Sequence, residues 1–439
     1  MKQYLRKILS PEVILLYHKL QAILANIRYG FPGKKMIVIG ITGTNGKTTT
    51  ANLAKAILEE AGFKVGLVST INISIAGVDR VNETKMTTQS PFKLLSLMAE
   101  MNKAKCQYAI IEVTSHALVQ HRVWGIPFDV AVLTNVSQEH LDYHKTMDEY
   151  KRAKALLFSG LKKSLHKDGV QKVIIVNRDD PSFSYFNKFD ADYKLKYGIL
   201  GGDVSTKKTN YTASYSQFYV TSAKGDQEIK LNLPGRFNVQ NALAAIATGL
   251  SQGVPLSICK KGLEKVKLVP GRVEKIEAGQ PFTVIVDYAH TPDALKKLYE
   301  TLSNLRPNRI IAVLGACGDR DKTKRPILGA LAGRFANLVF VTNEDPYTED
   351  PDTIIEEVAS GVPKGRKEKK LKLGLDYFKI SSREEALRKA LTAAGGGDLV
   401  VVTGKGAEEC IVVGEQKIPW SDRDIIKKIL SELGYHKNK

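Results

Sequence analysis

The sequence predicts an α/β fold built from two mostly parallel units, and three observations carry that prediction. Short apolar and β-branched runs alternate with helix-length patterns, first from Lys35 to about Gly235 and again beyond Pro270-Gly271. The first run enters a glycine-rich turn and then a helical pattern, as Val38-Ile39-Gly40-Ile41-Thr42-Gly43-Thr44-Asn45-Gly46-Lys47-Thr48-Thr49-Thr50. Clusters of ionisable residues follow three of the runs, where ligands sit in open α/β sheets. At 439 residues the chain exceeds one ordinary domain.

Taken in order, residues 1–35 are too few for a domain. From 11 to 28 the apolar residues Val13, Ile14, Leu16, Leu20, Ile23, Leu24 and Ile27 recur at helical spacing, with Lys19 and Arg28 among them. Such a helix either packs on the neighbouring unit, the favoured reading, or lies on a membrane surface. A central unit is expected over 36–269, with strands at 36–39, 65–69, 108–113, 128–134 and 173–177. Residues 193–233 break the rhythm with strict alternation, which predicts a small antiparallel section. Helices are expected at 238–249 and 256–266. A C-terminal unit, 270–439, follows with strands near 283–286, 310–314, 338–341, 377–380 and 399–402.

The turn at 43–48 has the logic of a phosphate cradle. Glycines let the backbone approach phosphates, and the N–H groups opening the helix point at negative charge. Lys47 can reach the β/γ-phosphates, and the Thr48 hydroxyl suits Mg²⁺. The strict G-x-x-x-x-G-K-[ST] spacing fails, because Ile41 stands where its first glycine belongs. What remains is Gly43-x-x-Gly46-Lys47-Thr48, in the order strand, loop, Lys-Thr, helix, which a casual glycine-rich turn would not show. ATP is the expected ligand.

Composition narrows the classes. With 43% hydrophobic and 25% charged residues the chain reads as a soluble globular protein. No apolar run reaches the ~18 residues of a membrane span, and residues 1–10, though basic, lead into no signal-peptide cleavage site. Cys106, Cys259, Cys317 and Cys410 lie far apart and fit reduced thiols in the cytoplasm. The net charge of +19 is spread along the chain, apart from a basic run at 364–372 that reads as a solvated loop. No nucleic-acid module accompanies it, which leaves attraction to an anionic membrane surface or an anionic substrate as the account of the charge.

The strand-end clusters are Glu112-Val-Thr-Ser-His116, Thr134 through His140 to His144, and Asp287-Tyr-Ala-His290-Thr-Pro-Asp293. Beside a phosphate loop they predict a metal–nucleotide site converging from both units. Here a resemblance becomes specific. The segments GTNGKTTT (43–50), EVTSHALVQHR (112–122), TNVSQEHLDYH (134–144), YKRAKALLF (150–158), PGRFNVQNALAA (234–245), DYAHTPDAL (287–295), GACGDRDKTKRP (315–326), EDPYTEDP (344–351) and GKGAEE (404–409) run in the order of the Mur ligases. These are the ATP-dependent amide-forming enzymes of peptidoglycan precursor synthesis. DYAHTPDAL and CGDRDKTKRP are most similar to the members that add the third stem-peptide residue.

The resemblance implies a central P-loop ATPase with a Rossmann-like C-terminal domain that closes over it. It also implies transfer of the ATP γ-phosphate to a substrate carboxylate, then attack on the acyl phosphate by an amino acid's α-amine. Phosphoryl transfer between anions needs positive charge and metal. By resemblance, Gly43, Thr44, Asn45, Gly46, Lys47, Thr48 and Thr49 hold the ATP phosphates, with further nucleotide contacts from Asn241, Arg272 and Asp287. Thr48, Glu112, His140 and a carbamylated Lys154 would hold two Mg²⁺; taken alone, YKRAKALLF reads as a surface helix. Lys47, Glu112, His140 and Lys154 are thus the implied catalytic set, and His116 and His144 are left as structural. Thr87, Thr88, Thr114, Gln120 and Arg122 would contact the UDP-MurNAc-dipeptide. Arg320, Gly404 and Glu408 would contact the incoming amino acid, with Arg320 on its α-carboxylate.

Two departures qualify the resemblance. Diaminopimelate-using members carry Asp-Asn-Pro-Arg, where this chain has Glu344-Asp345-Pro346-Tyr347. Without that arginine the distal carboxylate of diaminopimelate is left unpaired, at a cost of roughly 2–5 kcal/mol. Glu344, Asp345, Glu349 and Asp350 make an acidic neighbourhood suited to a side-chain ammonium, so L-lysine or another basic diamino acid is expected. Second, residues 1–35 cannot form the family's N-terminal uridine-nucleotide domain. The nucleotide end is then held by the short helix with a partner, held weakly, or absent from the substrate. The readings are a cytoplasmic, monomeric third-residue ligase, a related ligase of lipid-linked muropeptides or folyl-polyglutamates, and a nucleotide switch. Joint retention of Lys47, Glu112, His140, Lys154 and Arg320 argues against the switch.

Overall fold

The computed structural model describes residues 10–212, 214–366, 368 and 371–436. Residues 1–9 of the expected N-terminal segment, and 367, 369 and 370 of the basic run, lie outside them.

The chain forms two large sheets. The first holds β1 (Ile37–Thr42), β2 (Val65–Val68), β3 (Asn72–Ile75), β4 (Val78–Val81), β5 (Tyr108–Glu112), β6 (Val130–Leu133), β7 (Val173–Asn177), β8 (Tyr193–Gly198), β9 (Val204–Tyr211), β10 (Ser216–Ser222) and β11 (Gly225–Leu231). Their spatial order is β11-β10-β9-β8-β7-β6-β1-β5-β2-β3-β4. From β9 through β2 every pairing is parallel, so β1 lies in mid-sheet between β5 and β6. Ile39 and Ile41 face one core and Val38 the other, which is why the strand reads as an unbroken apolar run.

The expected antiparallel section is real only in part. β8 is parallel to β7 and to β9; within this section the antiparallel pairings are β9 with β10 and β10 with β11, and they continue the same sheet. Tyr197 on β8 is buried and its hydroxyl donates to the Leu133 carbonyl at 2.9 Å, which ties this strand into the central layer. The hairpin of β3 and β4 escaped the sequence reading, because all four β4 residues are exposed and carry no burial pattern. The predicted strand at 128–134 shortens because Asp129 turns inward, where it accepts from Val38 N at 2.8 Å and pairs with the buried Lys172 at 3.0 Å.

The helix Pro11–Tyr29 packs through a narrow face. Ala22, Ala25 and Asn26 are buried, and the Asn26 amide donates to the Trp124 carbonyl at 2.9 Å. The apolar residues that predicted a packed helix mostly point the other way: Val13, Leu16, Leu20, Leu24 and Ile27 are exposed.

The second sheet comprises β12 (Glu274–Ile276), β13 (Thr283–Asp287), β14 (Ile310–Leu314), β15 (Leu338–Thr342), β16 (Tyr377–Ile380) and β17 (Leu399–Thr403), ordered β12-β13-β17-β14-β15-β16. All its pairings are parallel except that of β12 with β13. A core lies on each face. Arg366 of the supposed solvated run donates to the Gly333 and Ala336 carbonyls at 3.0 and 2.6 Å, closing the C-terminal end of the helix Lys324–Phe335. At the other end of that helix the fully buried Arg325 holds Glu349 by two bonds, 2.9 and 3.0 Å, and Glu357 at 2.6 Å.

Arg325 foremost, helped by Lys322 and the Asp319 amide, outweighs burial and brings the Glu349 carboxyl from 4.5 down to about 2. A depressed carboxyl contributes stability above its unfolded value that disappears as pH falls through the folded one. Glu349→Gln should therefore cost about 1.5–3 kcal/mol at pH 6. The gap should close between pH 4.5 and about 2, a trend that urea unfolding at pH 6 and pH 3 checks.

Candidate active site

The C-terminal ends of the two parallel sheets face one another across a cleft of about 570 Å³. On one wall, β1 passes through residues 43–46 into the helix Lys47–Glu60, whose start no side chain caps. The turn is held so tightly that only glycine fits: a Cβ on Gly43 (φ +148°) would stand 1.9 Å from Thr134 Oγ1, and one on Gly46 (φ +84°) 2.2 Å from Asn241 Oδ1. Asn135 fixes the loop from below, accepting from Thr44 N at 2.8 Å through its carbonyl and from Asn45 N at 3.0 Å through its side chain. The Thr44 hydroxyl lies 3.2 Å from that of Tyr150, and Thr49 is buried behind the helix start.

Two lysines converge on this loop. Lys47 Nζ donates to the Gly43 and Thr44 carbonyls at 3.0 and 2.8 Å, and Lys154 Nζ donates to Gly43 O at 2.8 Å. Lys154 is 1% exposed, so the reading of its helix as a surface element fails at this residue. Burial first, and then the neighbouring Lys47 charge, pulls its amine well below the usual lysine range, against the attraction of Glu139. Burial also lowers Lys47, with Glu139 and Glu112 opposing.

Glu112, at the end of β5, is fully buried and accepts from Thr70 N and Oγ1 at 3.2 and 3.0 Å. Burial raises its carboxyl, with Lys47 and Thr48 opposing. His140 sits at φ +57° ahead of a short helix, and burial pushes its imidazole down to about 4. Glu139 lies 3.6 Å from His140 and 3.3 Å from His290, and these with Lys47 outweigh burial to hold it well below the usual range. The sequence reading passed over Glu139, although it directly precedes His140. His144 bonds Ser115 at 2.9 Å as a structural histidine does, while His116 packs its ring 4.7 Å from that of His140.

The loop before the helix Pro91–Lys103 divides the expected dipeptide contacts. Thr87 and Thr114 line the cleft, and the Thr87 hydroxyl lies 3.0 Å from that of Thr70. Thr88, Gln120 and Arg122 do not line it. Thr88 is buried and donates to Glu112 O at 2.9 Å, while Arg122 holds Thr88 O at 3.1 Å and Gln120 Oε1 at 2.5 Å. They brace the loop from behind, a role their polar side chains did not announce.

The opposite wall belongs to the second sheet. Arg272, in the connection, stacks 4.5 Å over Tyr288 and donates to Thr48 Oγ1 at 3.2 Å. Asp287 lines the cleft, yet its two oxygens accept from Val273 N and Ala289 N, both at 2.7 Å, so it clamps the connection rather than offering a bare carboxylate. Asn45 reaches across to Asp293 at 2.9 Å.

Deeper in, Lys405 pairs with Asp345 at 2.9 Å and Glu408 at 2.6 Å. Lys85, from the Thr87 loop, crosses the cleft to the same two carboxylates at 2.8 and 3.2 Å. The acidic neighbourhood is thus largely paired. Glu349 serves Arg325, and Asp350 accepts from Thr353 N at 2.8 Å as a helix cap, so both leave the site. Glu344 remains: 3% exposed, with Oε1 taken by the Cys317 thiol at 3.1 Å and Oε2 buried without a partner beside Gly404. Arg320 is exposed at the rim, its guanidinium 5.2 Å over the Tyr347 ring. Sequence reasoning found neither Lys85 nor Lys405 as a partner of this acidic set.

This wall is set by one buried pair. Arg383 grips Asp422 with bonds of 2.8 and 2.7 Å and also donates to Asn343 O at 3.1 Å and Thr403 O at 3.0 Å, the residues just before Glu344 and Gly404. Among the described residues, no three His, Cys, Asp or Glu side chains gather as a ready-made metal centre.

Comparison with known proteins fits this arrangement. Residues 41–249 match the Mur ligase middle domain and residues 271–406 the Mur ligase, glutamate ligase domain. The chain is 42% identical over 424 residues to the UDP-N-acetylmuramyl-tripeptide synthetase of Roseiflexus sp. (strain RS-1), covering 94% of this chain and 82% of that protein. It is 39% identical to the UDP-N-acetylmuramoyl-L-alanyl-D-glutamate–2,6-diaminopimelate ligase of Bacillus velezensis, with the same coverage of both. A solved 2,6-diaminopimelate ligase of that name superposes with a TM-score of 0.62 at 28% identity, over 97% of this chain and 84% of the other. The two facing sheets with a phosphate loop between them are those of an amide-bond ligase. The chain belongs to the Mur ligase family.

Arg383→Leu leaves Asp422 buried and uncompensated. Equilibrium urea unfolding should show a loss of about 3–5 kcal/mol, against less than ~0.5 kcal/mol for a substitution at an exposed position such as Lys389.

Proposed function

We propose that the protein is the ATP-dependent ligase that joins a diamino acid to the D-glutamyl carboxylate of UDP-MurNAc-L-Ala-D-Glu in the cytoplasm. The observation that carries this reading is the cleft itself, with a phosphate loop on one wall and a buried, unpartnered Glu344 oxygen on the other. The names of the relatives support the acceptor. The phosphates of ATP are to lie on residues 43–49, with Lys47 swinging from its own loop carbonyls onto them and Asn241 and Arg272 flanking the nucleotide. Thr87 and Thr114 orient the acceptor, held in register by Thr88, Gln120 and Arg122 behind them. The γ-phosphoryl group passes to the carboxylate oxygen, and ADP leaves. The amino acid, with its α-carboxylate on Arg320, then attacks the acyl carbon through its α-amine and expels phosphate.

Two Mg²⁺ ions fit the oxygen-rich donor set of Thr48 and Glu112, together with His140 and a carbamate on Lys154. Bound there, they offset the repulsion between phosphate and carboxylate. The chain's own residues prepare for that. His140 is held neutral by burial, which leaves a ring nitrogen free to bind. Burial and the neighbouring Lys47 charge lower the Lys154 amine toward its unprotonated form, the form that adds CO₂ and releases a proton. Protein equilibrated with ¹³C-bicarbonate is expected to show one carbamate carbonyl resonance that Lys154→Gln removes.

For the incoming side chain the Glu344 oxygen suits an ammonium, and Tyr347 in place of an arginine disfavours a distal carboxylate, which gives L-lysine. Lys85 favours a second reading, diaminopimelate, because its ammonium, unlike that of Lys405, lines the cleft, where a distal carboxylate could displace Asp345 or Glu408 from it. ADP release measured with Mg-ATP, the dipeptide substrate and a panel of amino acids decides between them. The first reading expects turnover dependent on dipeptide and lysine, with Glu344→Gln raising KM for lysine at least tenfold and leaving that for ATP unchanged. Preference for diaminopimelate, lost in Lys85→Met, establishes the second. Silence with every amino acid from ATP-binding protein would refute both and favour a lipid-linked muropeptide or folyl-polyglutamate acceptor.

A further inference from the structure

The helix Pro11–Tyr29 shows solvent the face that a packed helix hides. Val13, Leu16, Tyr17, Leu20, Leu24 and Ile27 are 46–63% exposed, and at 100° per residue they fall within one stripe about 100° wide. The opposite face, with Ala22, Ala25 and Asn26, is the one the protein covers. Trp124, whose carbonyl is bonded to Asn26, keeps 37% of its surface exposed beside the same helix. An apolar patch of this length on a charged protein marks an interaction surface.

Charge decides what covers it. Residues 1–35 contain seven Lys and Arg (Lys2, Arg6, Lys7, Lys19, Arg28, Lys34 and Lys35) against one acid, Glu12, and the next acidic residue is Glu59. A second copy of the chain would bring a like set of cations against this one, on a molecule of net charge +19. An anionic lipid surface meets both features, since acyl chains accept the stripe and headgroup phosphates accept the cations. The helix lies on such a surface rather than crossing it, because no described helix is long and apolar enough to span. Tyr17 and Trp124 are amphipathic rings of the kind that settle at headgroup depth.

We propose that the exposed face of this helix, none of whose residues lines the cleft, is a membrane-docking surface for anionic lipid. The full chain is mixed with sucrose-loaded vesicles of phosphatidylglycerol and phosphatidylcholine (3:7), or of phosphatidylcholine alone, and sedimented. The expected result is binding to the anionic vesicles at least tenfold tighter than to the neutral ones and weakened at 0.5 M NaCl. The triple variant Leu16→Ser, Leu20→Ser, Leu24→Ser should lose at least tenfold in affinity while its thermal midpoint stays unchanged, as these side chains are exposed. Lys19→Gln with Arg28→Gln should weaken binding without altering the apolar stripe. Failure to bind anionic vesicles overturns the proposal. So does a concentration-dependent dimer, seen by light scattering, that the triple variant dissolves, since the face would then belong to a second copy.

Discussion

The site rests on an electrostatic constraint: two amines, that of the buried Lys154 and that of the half-buried Lys47, share one carbonyl. Lys47 and Lys154 both donate to Gly43 O, with Glu139 and Glu112 as the nearby counter-charges. Placing two ammonium groups so close in a dry site is unfavourable unless one gives up its proton or an anion arrives. The fold arranges for both outcomes. Lys154 is fully buried against the Gly43 carbonyl, so burial bears hardest on its charge and lowers its amine well below the usual lysine range. Lys47 opens its own helix, where it can turn outward toward an incoming phosphate. The glycines follow from the same crowding, since a Cβ at Gly43 or Gly46 would strike Thr134 or Asn241 and push the loop off its two amines.

The far wall solves a different problem, that of presenting carboxylates without letting them collapse onto the nearest cation. Asp345 and Glu408 are neutralised by Lys405, which is itself fully buried, and by Lys85 from the other side of the cleft. Glu344 escapes this pairing because Arg383, the nearby guanidinium, is already spent on Asp422 and two carbonyls. The cost of leaving a carboxylate oxygen buried and unbonded is what a ligand's ammonium would relieve. Lys85 also makes the two walls interdependent, because moving the second sheet away breaks two of its ion pairs at once.

Much of this was legible in the sequence where one residue type has one use. The glycine-rich turn after β1 and the acidic and histidine clusters after β5 and β6 landed at the ends of three neighbouring strands, and the cluster after β13 landed on the facing sheet. What was hidden depended on partners far away in the chain. YKRAKALLF has the pattern of a surface helix, and only the packing of Tyr150 and Phe158 shows that Lys154 points inward. Glu349 and Asp350 looked like site residues through their neighbours in sequence, yet one belongs to Arg325 and the other caps a helix. Gln120 and Arg122, expected as substrate contacts, hold each other and the Thr88 carbonyl, which the sequence pattern did not show. Apolar periodicity located the helix Pro11–Tyr29 but gave the wrong face, because a period of 3.6 says that a stripe exists and not which side of it the protein covers.

Those two kinds of error share a cause. Sequence pattern reports the chemistry a residue brings, while burial and pairing report how much of that chemistry is still uncommitted. A lysine such as Lys405 has three donors in either case, but with Asp345 and Glu408 already on it there is little left for a substrate. Among the described residues of the cleft, groups with capacity to spare are the Lys47 ammonium beyond its two loop carbonyls, the second Glu344 oxygen and the exposed Arg320 guanidinium, one of whose nitrogens donates to Asp319 O. They stand at three separate points of one cleft, and their signs are those needed by a triphosphate, a side-chain ammonium and an α-carboxylate.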